Sequence, residues 1–192
     1  MRRRMLMTKP KQPEYEWDYE WDYRDGVLLE DSGLMVKTTS GSSSSEMTDD
    51  GQRLTVHRSP AHVKLTSAKQ PTCNSGVLYA KFVLIRLASA NGFRLMLSNG
   101  TNGIQVYINS TNGLYVDNTG TAICALDLLV EYELMIVLNK SGENEVYLNG
   151  ERVCSTTSFE TQYCNNNNVI QQEGGETLLR ELKYKFNING EG

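Results

Sequence analysis

The stretch from Glu145 to Ser155, EVYLNGERVCS, predicts the fold of this chain most directly. Two short runs of alternating polar and apolar residues flank Asn149-Gly150, and a side-chain period of two is typical of a β-strand. A type I′ hairpin needs positive φ at both central positions, and Asn-Gly adopts that conformation readily. We therefore expect two adjacent antiparallel strands joined by a tight turn.

The same alternation of short strands and turns extends along most of the 192-residue chain. Because many short strands with regular turn residues are typical of sandwiches, we expect an all-β fold of two packed antiparallel sheets. The run VLYAKFVLIRL, residues 77–87, is apolar on both faces and predicts a central strand covered on both sides. The polar residues 37–52 predict a loop. In the last strand we expect one face to hold Leu178, Leu182, Tyr184 and Phe186, with Arg180 as an exception.

The runs GVLYAKFVLIRL, YELMIVLN, EVYLNGERV and LLRELKYKF occur in an order that resembles the concanavalin A-like lectin/glucanase superfamily in its laminin-G-like jelly-roll form. The resemblance covers about residues 27–187. It implies two packed sheets, one of them concave, and a role in glycan binding, polysaccharide cleavage or structural adhesion. A fold alone does not choose among these.

Composition and charge exclude some classes of protein. The net charge of −4 gives no reason to expect a nucleic-acid partner, and no apolar run approaches the ~20 residues needed to span a bilayer. The start, MRRRMLM, lacks the apolar stretch of a signal peptide, which predicts synthesis in the cytoplasm without secretion by that route. The four cysteines have neither CxxC nor zinc spacing and are expected to be free thiols: Cys73, Cys124, Cys154 and Cys164.

The segment EYEWDYEWDYRDG, residues 14–26, alternates aromatic and acidic residues. We expect residues 15–23 to form a strand that buries its rings against the sandwich or a second copy of the chain and leaves its acids exposed. Residues 1–25 are predicted to be a basic arm plus this strand, and residues 26–192 the β-sandwich domain. The rings are the candidate partner-binding residues: Tyr15, Trp17, Tyr19, Trp21 and Tyr23.

The same segment supports an alternative function. Glu16, Asp18 and Glu20 fit the E-x-D-x-E pattern of the laminarinase-like glycoside hydrolases, which belong to the same superfamily. In those enzymes the first glutamate of the pattern is the nucleophile and the last is the acid/base. Their position near the start of the chain and the continuation of the acidic row count against catalysis. The alternative is a small glycoside hydrolase; a third possibility is a purely structural subunit.

Our preferred interpretation is a non-catalytic attachment or glycan-binding module, in the setting of a bacteriophage virion or a gut-bacterial surface assembly. The partner is then a glycan or a protein of a larger assembly, with a homo-oligomer as a further possibility. No cofactor is expected, although Asp31, Asp49 and Asp50 leave calcium open. The candidate ligand-binding residues lie opposite the expected core and suit sugar hydroxyls and ring faces: Arg94, Gln105, Tyr107 and Tyr115.

Overall fold

The structure is a computed structural model that describes residues 12–58, 60–68, 75–89, 92–98, 103–117, 121–139, 143–157 and 168–188. These residues form strands and one 3₁₀ turn, Tyr23–Asp25. In chain order the strands are β1 (Tyr19–Asp22), β2 (Met35–Ser40), β3 (Ser43–Thr48), β4 (Gly51–Val56), β5 (His62–Ser67), β6 (Ser75–Leu87), β7 (Phe93–Ser98), β8 (Gly103–Ile108), β9 (Gly113–Val116), β10 (Cys124–Ala125), β11 (Glu131–Asn139), β12 (Asn144–Leu148), β13 (Glu151–Thr156), β14 (Val169–Gln172) and β15 (Gly175–Phe186).

The strands form two antiparallel sheets. Sheet A has the order β13-β12-β11-β6-β15-β4-β3, with β1 also paired to β15. Sheet B has the order β10-β9-β8-β7-β14-β5-β2. The predicted two-sheet β-sandwich is therefore confirmed. Within the described part of the chain, no helix has the length and apolar character to cross a membrane.

The facing sides of the two sheets bury one apolar cluster. Phe82 on β6 and Phe93 on β7 meet there with ring centroids 5.0 Å apart, which joins the centres of the two sheets. Both rings are fully buried. Full burial of such a side chain contributes about 1.5–3 kcal/mol, so this cluster supplies the main apolar driving force for folding. Each core residue alternates with one that points to the outer face of its sheet.

The hairpin predicted from Asn149-Gly150 is confirmed. Leu148 pairs with Glu151, and the two residues between them have φ values of 51° and 80°. Positive φ at both positions is the requirement of the type I′ turn.

The expected face of the last strand is wrong in its first half. Leu179 and Leu182 lie in the core, whereas Leu178 is buried outside that cluster. The register between β15 and β6 shifts between Leu179 and Glu181, so Arg180 is the extra residue of a β-bulge. A bulge moves every following side chain by one position, and this reverses the alternation.

The prediction of a loop over residues 37–52 is also wrong. Most of this stretch lies in β2, β3 and the start of β4, and β3 pairs with β4 as a hairpin. In the described structure β2 is an edge strand of sheet B, and β3 is an edge strand of sheet A. Because such strands bury little, polar Ser and Thr residues suffice to form them.

The aromatic N-terminal segment is divided between two faces. Only Tyr19–Asp22 is a strand, and a bend at Asp18 precedes it. After the bend, Trp21 is only 3% exposed and lies in the core, and Tyr19 and Tyr23 pack against that core. Before the bend, Tyr15 and Trp17 cover the outer face of sheet A over Val77, Tyr79, Met135, Val137 and Tyr147.

The prediction of one five-ring strand is therefore wrong in extent, while the expected burial of the rings is confirmed for Trp21 and partial for the others. The segment also provides the second cover that the apolar β6 was expected to have. Cys124 and Cys154 are free thiols that pack half-buried against the core, and burial raises the pKa of both. Cys73 and Cys164 lie outside the described residues.

Candidate functional site

The candidate ligand-binding residues lie on the outer face of sheet B, where the strand register aligns side chains into one row. Tyr115 pairs with Tyr107, Tyr107 with Arg94, and Arg94 with Gln171. Gln171 pairs in turn with Lys64 on β5. We call these five residues the sheet B row. Because neighbouring strands lie about 4.8 Å apart, the row spans roughly 19 Å across five strands.

The row follows from the alternation that builds the core. Phe93 and Leu95 flank Arg94 in sequence and point inward, and Val106 and Ile108 flank Tyr107 in the same way. Side chains of successive strand residues point to opposite faces, so burying the apolar set holds the polar set outward. The site is thus positioned by rigid strands.

Two tyrosines form one end of the row. The rings of Tyr107 and Tyr115 are 4.9 Å apart between centroids and tilted by only 4°, so they stack face to face. The hydroxyl of Tyr115 accepts a hydrogen bond from Asn109 Nδ2 at 3.2 Å. Partial burial raises the pKa of Tyr107, and the neighbouring Tyr115 raises it further. The phenol therefore remains a neutral donor at neutral pH. The pair is a half-buried aromatic stack with polar tips.

The middle of the row is fixed by a carboxylate. Glu173 Oε1 lies 3.2 Å from Arg94 Nη2 and accepts a hydrogen bond from Gln171 Nε2 at 2.8 Å. The Arg94 side chain is only 11% exposed. These contacts hold the guanidinium and the amide in defined orientations, as a binding site requires.

Gln105 occupies a different place from the one expected. It lies on the same outer face, opposite Met96, but is only 3% exposed. Its Oε1 atom is buried with no hydrogen-bond partner among the described residues. The sequence identified its face correctly, whereas its burial depends on the surrounding tertiary structure.

Sequence analysis did not identify Lys64, Gln171 or Glu173. β14 is short, and its pairing with β7 on one side and β5 on the other joins residues more than 70 positions apart. The alternation in VIQQ, residues 169–172, was the only available signal, and it is too short to assign a face.

The carboxylates of the hydrolase motif lie away from the sheet B row. Asp18 accepts hydrogen bonds from Phe186 N at 2.7 Å and Lys185 Nζ at 2.9 Å, and Glu20 pairs with Lys183 at 3.0 Å. Glu16 is exposed. Burial acts to raise the pKa of Asp18, but the hydrogen bonds from Phe186 and Lys185 outweigh it and lower the pKa. Asp18 and Glu20 are therefore used in ion pairs with Lys185 and Lys183 of β15.

The residues considered for calcium do not form a metal site in the described structure. Asp31, Asp49 and Asp50 are exposed turn residues. Among the described residues, no group of three or more His, Cys, Asp or Glu is arranged to hold a metal ion.

Comparisons with known proteins identify the fold. No family model matches the chain, and no curated protein matches its sequence. Among solved structures, the metal-free Emp46p carbohydrate recognition domain superposes with a TM-score of 0.62 and 10% identity, over 91% of this chain and 100% of that one. The VIP36 exoplasmic/lumenal domain, in a Ca²⁺- and Man-bound form, gives 0.55 and 10%, over 81% and 84%.

A sialidase gives a TM-score of 0.68 at 10% identity, and the match covers 88% of this chain but only 18% of the sialidase. Identities of this size show the fold alone. The chain has the concanavalin A-like jelly-roll fold, as the resemblance implied.

Proposed function

We propose that the protein is a non-catalytic glycan-binding module and that the glycan lies along the sheet B row. The observation behind this proposal is the register that places Tyr115, Tyr107, Arg94, Gln171 and Lys64 side by side on one outer face. The carbohydrate recognition domain and the Man-bound lumenal domain among the structural neighbours support the same class of ligand.

The chemistry of the row matches the two kinds of surface on a sugar. The C–H face of a pyranose ring is apolar and packs against an outer ring face of the stacked Tyr107–Tyr115 pair. Sugar hydroxyls both donate and accept, and the guanidinium and amide of Arg94 and Gln171 supply fixed donors beside the rings. Few polar groups placed next to an aromatic surface are the usual composition of a small-molecule site.

The length of the row favours a chain of sugars over a single one. From Tyr115 to Gln171 the row crosses four strands, which is about 14 Å at the spacing between strands. We therefore expect an oligosaccharide to bind more tightly than its monosaccharide unit, because it contacts both the tyrosine pair and the Arg94 region.

A glycan array followed by calorimetry tests this proposal. Tyr107→Ala removes half of the stacked pair, and we expect at least about a tenfold loss of affinity for any oligosaccharide that binds, or ~1.4 kcal/mol. Val36→Ala is the matched control, since Val36 is exposed on the same sheet but outside the row. Binding that survives Tyr107→Ala and Tyr115→Ala unchanged would contradict the proposed site.

A parallel reducing-sugar assay addresses the hydrolase alternative. A retaining glycosidase needs two carboxyl groups about 5–5.5 Å apart that flank the scissile bond. Here Glu16 is exposed and Glu20 pairs with Lys183 on β15, and neither glutamate lines the cavities beside this segment. We expect no hydrolysis by the parent protein. Hydrolysis that Glu16→Gln abolishes would favour the glycoside hydrolase over the binding module.

We also propose that the module serves attachment within a larger assembly, such as a virion or a bacterial surface. The candidate contact is the outer face of sheet A, where the half-buried Tyr15 and Trp17 line a cavity of about 390 Å³ with Tyr79. A structural neighbour titled as a bacteriophage carbohydrate esterase and another from mucin-degrading gut bacteria are consistent with either setting. Mass measurement of the purified protein tests self-association through this face.

A further inference from the structure

A cavity of about 260 Å³ lies where β5 begins and β14 ends, beside the Gln171 position of the sheet B row. Gln171 belongs both to the row and to the wall of this cavity, so the two are continuous. Its size is slightly below the ~300 Å³ at which sites for drug-sized molecules begin, and it therefore suits one sugar ring. Its lining residues are Pro60, Ala61, His62, Ser89, Gln171 and Glu173.

One wall of the cavity has a hydroxyl without a partner. Ser89 Oγ is buried and makes no hydrogen bond with any described residue. Gly174 packs directly against it, since a Cβ at Gly174 would lie 2.8 Å from Ser89 Cβ. Because the Oγ atom itself has almost no accessible surface, a ligand hydroxyl reaches it only when the Ser89 side chain rotates toward the cavity. Buried polar atoms are almost always paired, and this rotation would pair one that has no partner among the described residues.

The lining also includes an oriented carboxylate. Glu173 Oε1 is held by Arg94 and Gln171, while Oε2 has no partner among the described residues. An ionised carboxylate is an acceptor only, so Oε2 is suited to a hydroxyl donor.

The third polar group is His62. Its Nδ1 lies 2.9 Å from Ser40 Oγ, which fixes the ring and leaves Nε2 as the atom available to a ligand.

We propose that this cavity is a subsite for one neutral sugar unit, whose neighbouring hydroxyls donate to Glu173 and pair with Ser89 Oγ and His62 Nε2. The inference rests on the proposed function and names the class of sugar that the site takes. An acidic sugar is disfavoured, because its carboxylate would lie beside Glu173, whose charge is already matched by Arg94. The following sugars of the chain then extend over Tyr107 and Tyr115.

The test uses the full chain and methyl glycosides of neutral hexoses, with glucuronic acid and sialic acid as acidic probes, in ligand-observed NMR. We expect Ser89→Ala and Glu173→Gln each to weaken binding of a neutral glycoside about three- to tenfold, as the loss of one hydrogen bond predicts. Ser89→Ala leaves the Arg94–Glu173 pair intact, so its effect does not depend on that ion pair. Glu46→Gln, at an exposed position of β3, is the control.

Tyr107→Ala separates this inference from the proposed function. We expect it to weaken oligosaccharide binding, while binding of the single neutral glycoside keeps its three- to tenfold dependence on Ser89 and Glu173. Oligosaccharide binding that depends on Tyr107 but not on Ser89 or Glu173 would overturn the subsite and keep the proposed function. Preferential binding of an acidic probe, strengthened by Glu173→Gln, would overturn the neutral class.

Discussion

Removal of the Trp21 ring should destabilise the whole sandwich, although Trp21 lies only twenty-one residues from the start of the chain. Its side chain is 3% exposed, and its Nε1 donates to the carbonyl of Val27 at 2.8 Å. Truncation of a buried Trp to Ala costs about 3–5 kcal/mol through lost transfer energy and a cavity. Loss of the hydrogen bond adds about 1 kcal/mol.

The expected total for Trp21→Ala is therefore about 4–6 kcal/mol, a large share of the ~5–15 kcal/mol that stabilises a typical protein. At roughly 2–4 °C per kcal/mol for a chain of this size, Tm should fall by about 8–24 °C. Urea unfolding followed by circular dichroism measures the change without relying on tryptophan fluorescence. Glu16→Gln, at an exposed position of the same segment, should stay within about 0.5 kcal/mol of the parent.

If Trp21→Ala fails to fold, Trp21→Phe keeps a buried ring and should cost about 1–2 kcal/mol, mainly from the lost hydrogen bond and reduced volume. A loss below about 1 kcal/mol for Trp21→Ala would mean that the segment does not pack into the core. The assignment of β1 to sheet A would then be wrong.

Three further predictions concern other parts of the molecule. Gly175→Ala should destabilise the folded protein by more than about 3 kcal/mol, because Gly175 has φ of 106° and a Cβ there would lie 1.9 Å from Arg86 O. Gly150→Ala is the control: Gly150 has φ of 80° and open space around it, so the substitution should cost only about 1–2 kcal/mol. Chemical unfolding measures both changes. Because the pKa of Asp18 is lowered in the folded protein, its contribution to stability is present above about pH 4 and is lost as pH falls through the folded-state pKa. Asp18→Asn should therefore flatten the fall in Tm below pH 4. An unchanged pH profile would contradict the contacts of Asp18 with Phe186 and Lys185. The third prediction uses a variant in which Cys73 and Cys164 are both replaced by Ser. Because Cys124 and Cys154 have a raised pKa and are partly buried, their labelling by a thiol reagent at pH 8 should be much slower in the folded protein than in urea. Equal labelling rates would show that both thiols are accessible in the folded protein.

The carboxylates that resemble a catalytic motif illustrate how a pattern acquires its meaning from its neighbours. Glu20 and Asp18 each have a lysine of β15 within 3.0 Å. These lysines alternate with Leu182 and Tyr184, which point into the core. Asp18 and Glu20 are thus paired with Lys185 and Lys183 on the outer face because the apolar side chains beside them are buried. The arrangement is that of an ordinary cross-strand ion-pair set, worth little individually at an exposed surface.

Local patterns in the sequence determined which elements form. The alternation of β7 and β8 placed Arg94, Gln105 and Tyr107 opposite the core, and Asn149-Gly150 determined a two-residue hairpin, because side-chain period and turn conformation depend on residues next to one another. The apolar run of β6 likewise indicated a strand with cover on both sides. The two-sheet class of the fold follows from these local features together.

Only the tertiary structure decided how distant strands align. The bulge at Arg180 exchanged Leu178 for Leu179 in the core, and the bend at Asp18 sent Trp17 and Trp21 to opposite faces of sheet A. The sheet B row joins residues from position 64 to position 171, and Glu173 reaches Arg94 only through the pairing of β14 with β7. Register between strands far apart in sequence is selected by burial of the entire core, and no local pattern contains that information.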